Sequence, residues 1–83
     1  MDLSQKVALV TGSGSGIGRA ISTKMAEWNA TVILTDVRIS NLDEVATDIK
    51  QKFPGTIVEP MELDVTNQSS VDQVVTKAFN SFD

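Results

Sequence analysis

Thr11-Gly12-Ser13-Gly14-Ser15-Gly16-Ile17-Gly18 decides the fold, and it holds four of the five glycines in a chain of 83 residues. Before it runs Lys6-Val7-Ala8-Leu9-Val10, a short apolar stretch suited to a strand buried on both faces. After it, Ile17, Ala20, Ile21, Met25 and Trp28 recur at the i, i+3, i+4 spacing of one helical face. Strand, glycine turn and helix follow in that order. Where a helix starts, backbone N–H groups lack partners and the dipole favours an anion, so phosphate is the natural occupant of the turn. Gly12 is expected to supply the tight turn, Gly16 to let a pyrophosphate approach the backbone, and Gly18 to let helix and strand pack closely. The spacing is G-x-x-x-G-x-G. No Gly-x-x-x-x-Gly-Lys followed by Ser or Thr can be placed on it, so a P-loop and nucleoside triphosphate hydrolysis have no support.

Beyond the first helix, Asn29 stands where a left-handed cap is needed, and Thr31-Val32-Ile33-Leu34-Thr35-Asp36 reads as a second buried strand. Ser40 or Asn41 is expected to cap a second helix with Leu42, Val45, Ala46, Ile49 and Phe53 on its core face, stopped by Pro54-Gly55. A third strand follows from Ile57-Val58 to Leu63, and Pro60 assigns it to a sheet edge or a bulge. Thr66 or Asn67 then caps a last helix with Val71, Val74, Val75, Ala78 and Phe82 on one stripe. The alternation predicts an α/β fold: the N-terminal βαβαβα portion of a Rossmann-type, doubly wound parallel sheet. No strand follows the last helix, so residues 1–83 are expected to form the first half of a single dinucleotide-binding domain. In the usual doubly wound order this leaves residues 7–10 on an open apolar edge, prone to pair with another chain.

Asp36 closes the second strand about 20 residues beyond the glycine turn, the distance at which an acid receives an adenosine ribose hydroxyl. Its charge would repel a 2′-phosphate. Strand, glycines, helix, strand and acid in correct order point to dinucleotide binding.

Composition narrows the remaining choices. Seven Lys and Arg against eleven Asp and Glu give a formal net charge of −4, with the basic residues scattered, so nucleic acid is not an expected partner. The chain has no His, Cys or Tyr, which removes Ser-His-Asp triads, His- or Cys-ligated metals, disulfides and a phenolic acid or base. No metal site and no catalytic residue is expected among these residues. The longest apolar run, Val7 to Val10, is far short of the ~20 residues that cross a bilayer, and the N-terminus lacks the features of a signal peptide. A soluble cytoplasmic protein is the expectation.

The residues resemble the short-chain dehydrogenase/reductase family, whose T-G-x-x-x-G-x-G turn matches Thr11, Gly12, Gly16 and Gly18. Leu63-Asp64-Val65-Thr66 is similar to the family's Asp-Val pair after the third strand. The resemblance implies that Asp64 accepts from an adenine amino group and that the Val65 N–H donates to a ring nitrogen. It implies a cofactor-binding set of Gly12, Ser15, Gly16, Ile17, Gly18, Asp36, Asp64 and Val65. It also implies NAD as cofactor in preference to NADP, because Ser15 and Asp36 stand where NADP-preferring relatives place basic residues. Arg38 is expected to be an exposed loop cation. The family's catalytic Ser and Tyr-x-x-x-Lys lie further along than residue 83, so the chain is expected not to catalyse by itself. The complete protein would act on an alcohol or carbonyl substrate, as a homo-oligomer. The competing expectation is a short product that binds nucleotide or a relative without catalysis.

Overall fold

The computed structural model describes residues 1–82, with side chains through residue 78. Its elements run β1 (Val7–Val10), α1 (Gly16–Glu27), β2 (Thr31–Asp36), α2 (Ile39–Lys52), β3 (Val58–Glu62) and α3 (Gln68–Phe82). The strands form one parallel sheet in the order β1-β2-β3. Val7 pairs with Thr31 and Val10 with Leu34, while Val32 pairs with Val58 and Asp36 with Glu62. Parallel neighbours joined through helices are the βαβ arrangement expected from the alternation.

β2 is central and its Val32, Ile33 and Leu34 are fully buried. Its alternate side chains serve two cores. Val32 and Leu34 face α1 and α2, joining Ala26, Leu42, Val45, Ile49 and Val58. Ile33 faces the other way and packs with Met61, Leu63 and Val74, with Val71 and Ala78 of α3 alongside. The sheet is therefore covered by two helices on one face and one on the other. The expected place of Phe82 on the α3 stripe lies outside the described side chains, and Val75 is exposed.

Local signals act where they were expected at several ends. Asn29 takes a left-handed φ of 73°, its N–H donates to the Ala26 carbonyl, and the Ala30 N–H reaches the Met25 carbonyl. That pair of bonds is a Schellman closure, and Asn tolerates the conformation it requires. Asn67 caps α3, accepting from the Ser70 N–H at 3.2 Å. Pro60 sits on edge strand β3, where its missing N–H leaves no gap inside the sheet.

Three expectations need correction. α2 starts at Ile39 with Arg38 at the N-cap and no side-chain cap, so neither Ser40 nor Asn41 caps it. β1 is not buried on both faces: Ala8 and Val10 pack on the α1–α2 core, whereas Val7 and Leu9 are exposed because α3 packs over Ile33, Met61 and Leu63 instead. The buried face of α1 is Gly18, Ser22 and Ala26, not the bulky stripe, and Ile17 and Ile21 are exposed. Small residues let the helix axis approach the turn and sheet; isoleucines on that face would hold it away.

Candidate functional site

The glycine turn is anchored to β2 before it bends. Ser13 is fully buried, its hydroxyl donates to the Val10 carbonyl at 2.6 Å, and its N–H donates to the Thr35 carbonyl at 2.9 Å. The Thr35 hydroxyl also donates to the Val10 carbonyl, at 2.8 Å. These bonds continue the β1–β2 pairing past the strand ends and fix where the turn begins. Gly12, at φ 63°, makes the bend that a side chain would oppose.

Ser15 then caps α1. Its hydroxyl donates to the Gly12 carbonyl at 2.7 Å and accepts from the Gly18 N–H at 3.4 Å, while its own N–H reaches the Gly12 carbonyl at 3.0 Å. A helix start leaves four N–H groups without intrahelical partners. Those of Ser15 and Gly18 are satisfied in this way. Those of Gly16 and Ile17 have no protein acceptor among the described residues. A Cβ on Gly16 would meet nothing within 4 Å, so no protein group crowds the chain at this residue. The arrangement can receive an anion without rearranging the turn. The Ile17 side chain projects beside it, 79% exposed.

Gly18 has a different surrounding. A Cβ there would run into the Gly12 carbonyl oxygen and stand 2.8 Å from the Gly12 carbonyl carbon. The close approach expected of this glycine is real, but its neighbour is the backbone of the turn rather than the strand.

Asp36 reaches from the end of β2 onto the turn. One carboxylate oxygen, Oδ2, accepts from the Gly14 N–H at 2.9 Å, and the other, Oδ1, accepts from the Val37 N–H at 2.7 Å. Asp64 follows β3. Its Oδ1 accepts from the Thr66 hydroxyl at 2.6 Å and the Thr66 N–H at 2.9 Å, and its own N–H donates to the Ser70 hydroxyl at 3.1 Å. The Thr66 hydroxyl, and then the Thr66 N–H, hold the Asp64 carboxyl below the ordinary carboxylate range. Asp64 thus organises the turn into α3 while its exposed side stays in solvent.

Thr11, Gly12, Asp36, Val37, Asp64 and Val65 line one open groove of about 420 Å³, at the carboxyl ends of the three strands. Thr11 and Gly12 of the glycine turn, Asp36 and the Asp64-Val65 pair therefore meet in one place, whereas Gly16 borders a second groove beside Arg19, Asp48 and Lys52. In open α/β sheets that end is where ligands bind. Gly16, Ile17 and Gly18 lie at the adjoining start of α1. Sequence reasoning gave Gly14 no part in the site, although its N–H holds the Asp36 carboxylate; the trace was a glycine standing at a position where the spacing pattern asks for none. No cluster of metal-ligating side chains occurs among the described residues, and no described helix is long and apolar enough to cross a membrane.

The chain is similar to known proteins in sequence and in fold. Over 80 residues the chain is 39% identical to a probable 2,4-dienoyl-CoA reductase 3 of Caenorhabditis elegans, covering 96% of this chain and 26% of that protein. Over 82 residues it is 38% identical to the 3-oxoacyl-[acyl-carrier-protein] reductase FabG of Thermotoga maritima, covering 99% of this chain and 32% of that protein. The crystal structure of L-sorbose reductase from Gluconobacter frateurii, complexed with NADPH and L-sorbose, superposes with a TM-score of 0.90 at 40% identity, over 99% of this chain and 31% of that one. The chain spans about a quarter to a third of the length of these relatives. The family model described as short chain dehydrogenase matches residues 6–83, and with its βαβαβα topology and strand-end groove the chain belongs to the short-chain dehydrogenase/reductase family of oxidoreductases.

Proposed function

We propose that these residues are the dinucleotide-binding portion of an NAD-dependent oxidoreductase that acts on an alcohol or carbonyl substrate. The observation that carries this reading is the single groove shared by Thr11 and Gly12 at the head of the glycine turn, Asp36 and the Asp64-Val65 pair. A dinucleotide fits the donor set. The N–H groups of Gly16 and Ile17, without a protein acceptor among the described residues, suit a pyrophosphate, and Gly16 presents no Cβ to crowd it. Gly12 and Gly18 shape that turn, and Ser15 serves by capping the helix. The Asp36 carboxylate suits a ribose hydroxyl, Asp64 an exocyclic amino group and the Val65 N–H a ring nitrogen.

When bound, the nicotinamide supplies hydride transfer. This chain's residues bind and orient the cofactor. The proton on the substrate oxygen would be handled outside residues 1–83, which contain no Tyr and no His. The L-sorbose reductase neighbour holds NADPH, so the fold by itself does not select NAD. The choice of NAD rests on Asp36, whose negative charge opposes a 2′-phosphate. Replacing Asp36 with Ala in the native-length protein tests it: the preference for NAD over NADP should fall roughly tenfold or more. An unchanged preference would remove the role given to Asp36.

A further inference from the structure

We propose that Gly14, backed by Asn41, is a specificity-determining position: the missing side chain at Gly14 is what lets the Asp36 carboxylate lie across the glycine turn. This rests on the dinucleotide reading above and adds a positioning device to it. Backbone freedom does not explain this glycine, because Gly12 is the glycine with positive φ. Space does. A Cβ on Gly14 would stand 2.8 Å from Asp36 Oδ2 and 3.0 Å from the Asn41 Cβ. Asn41 lies in the first turn of α2, its N–H bonded to the Arg38 carbonyl, and its Cβ is one bond from the helix backbone. That wall cannot swing aside. The carboxylate can, so a side chain at position 14 would turn it away and break the 2.9 Å bond from the Gly14 N–H.

The consequence concerns discrimination. Asp36 is held through both oxygens by N–H groups of two separate segments, the turn at Gly14 and the loop at Val37. A carboxylate fixed in this way keeps its charge beside the turn, where it accepts from a hydroxyl and opposes a phosphate. Once rotated away, it does both less well. Gly14 therefore acts through Asp36 as a positioning residue.

The test is a set of binding measurements on the native-length protein with NAD and NADP, for the wild type, Gly14→Ala, Asp36→Ala and the double variant. Gly14→Ala should lower the NAD-to-NADP affinity ratio by roughly tenfold. In the Asp36→Ala background the same change should leave the ratio where it is, since no carboxylate remains to be moved. A second readout needs no cofactor: in the free protein, Asp36→Ala should shift the Gly14 amide proton resonance upfield and speed its exchange, while the Gly18 amide, capped by Ser15, stays unmoved. Equal weakening of both cofactors by Gly14→Ala, additive effects in the double variant, or an unmoved Gly14 amide would overturn the proposal. Intact binding with an unmoved ratio overturns this inference alone, whereas a wild type that binds neither dinucleotide overturns the functional reading and this inference with it.

Discussion

Gly18 and Gly12 meet backbone to backbone at the base of the glycine turn, so close that a Cβ on Gly18 would collide with the Gly12 carbonyl. Unlike a side-chain end, a backbone carbonyl held by the Ser15 N–H and hydroxyl has little room to yield. Gly18→Ala is therefore expected to destabilise the fold by about 3 kcal/mol, the upper part of the range for overpacking. Denaturant unfolding of the native-length protein checks this, and a loss below about 0.5 kcal/mol would contradict the packing described.

Gly16 predicts the opposite pattern. With nothing within 4 Å of its Cβ position, Gly16→Val should leave stability within about 1 kcal/mol, since only the helix-start preference changes. Under the proposed function the same substitution should abolish cofactor binding by crowding the pyrophosphate assigned to the Gly16 and Ile17 N–H groups. Titration with NAD, run beside a melt, separates the two effects. Retained affinity would refute the anion position.

The contrast between these glycines shows how far the sequence could be read. Strand and helix order, the Asn29 closure and the Pro60 edge were legible because each is written in local chemistry: a φ preference, a missing N–H, an alternation of apolar residues; Asp64-Val65 stood out only through the family resemblance. The face of α1 was not. Hydrophobic periodicity selects bulky residues, yet the approach of α1 to the turn requires small ones, so Gly18, Ser22 and Ala26 are buried and Ile17 and Ile21 are not. Gly14 was illegible for a related reason. Its need for space arises only when Asp36, from a distant strand end, and Asn41, from the next helix, arrive at the same point.

Two carboxyls give the fold an acid-sensitive edge. The Arg19 guanidinium, at 3.0 Å, is the main cause holding Asp48 below the ordinary carboxylate range, as the Thr66 hydroxyl does for Asp64. Because the fold lowers both values, their contribution is present above the unfolded-chain value and fades as pH falls through the folded one. Arg19→Gln should raise the Asp48 pKa and Thr66→Val that of Asp64, each seen by NMR titration of the side-chain carboxyl. An unmoved titration curve in either variant would contradict the pairing.

The edge of β1 makes a prediction for the 83-residue chain studied by itself. Val7 and Leu9 expose apolar surface on an edge strand whose outer N–H and C=O groups pair with no strand among the described residues. Association that grows with concentration is expected, and Leu9→Lys should reduce it by placing a charge on the edge. Sedimentation at several concentrations reads this directly; a monomer at all of them would contradict it.

The central claim is that one groove at the carboxyl ends of β1, β2 and β3 holds a nicotinamide dinucleotide. Its most direct test is an amide NMR titration of the native-length protein with NAD. The account predicts saturable shifts concentrated at Gly12, Gly14, Gly16, Ile17, Val37 and Val65, with the far ends of the strands, at Val7 and Thr31, unmoved. Saturable shifts centred elsewhere, or none at all, would contradict it.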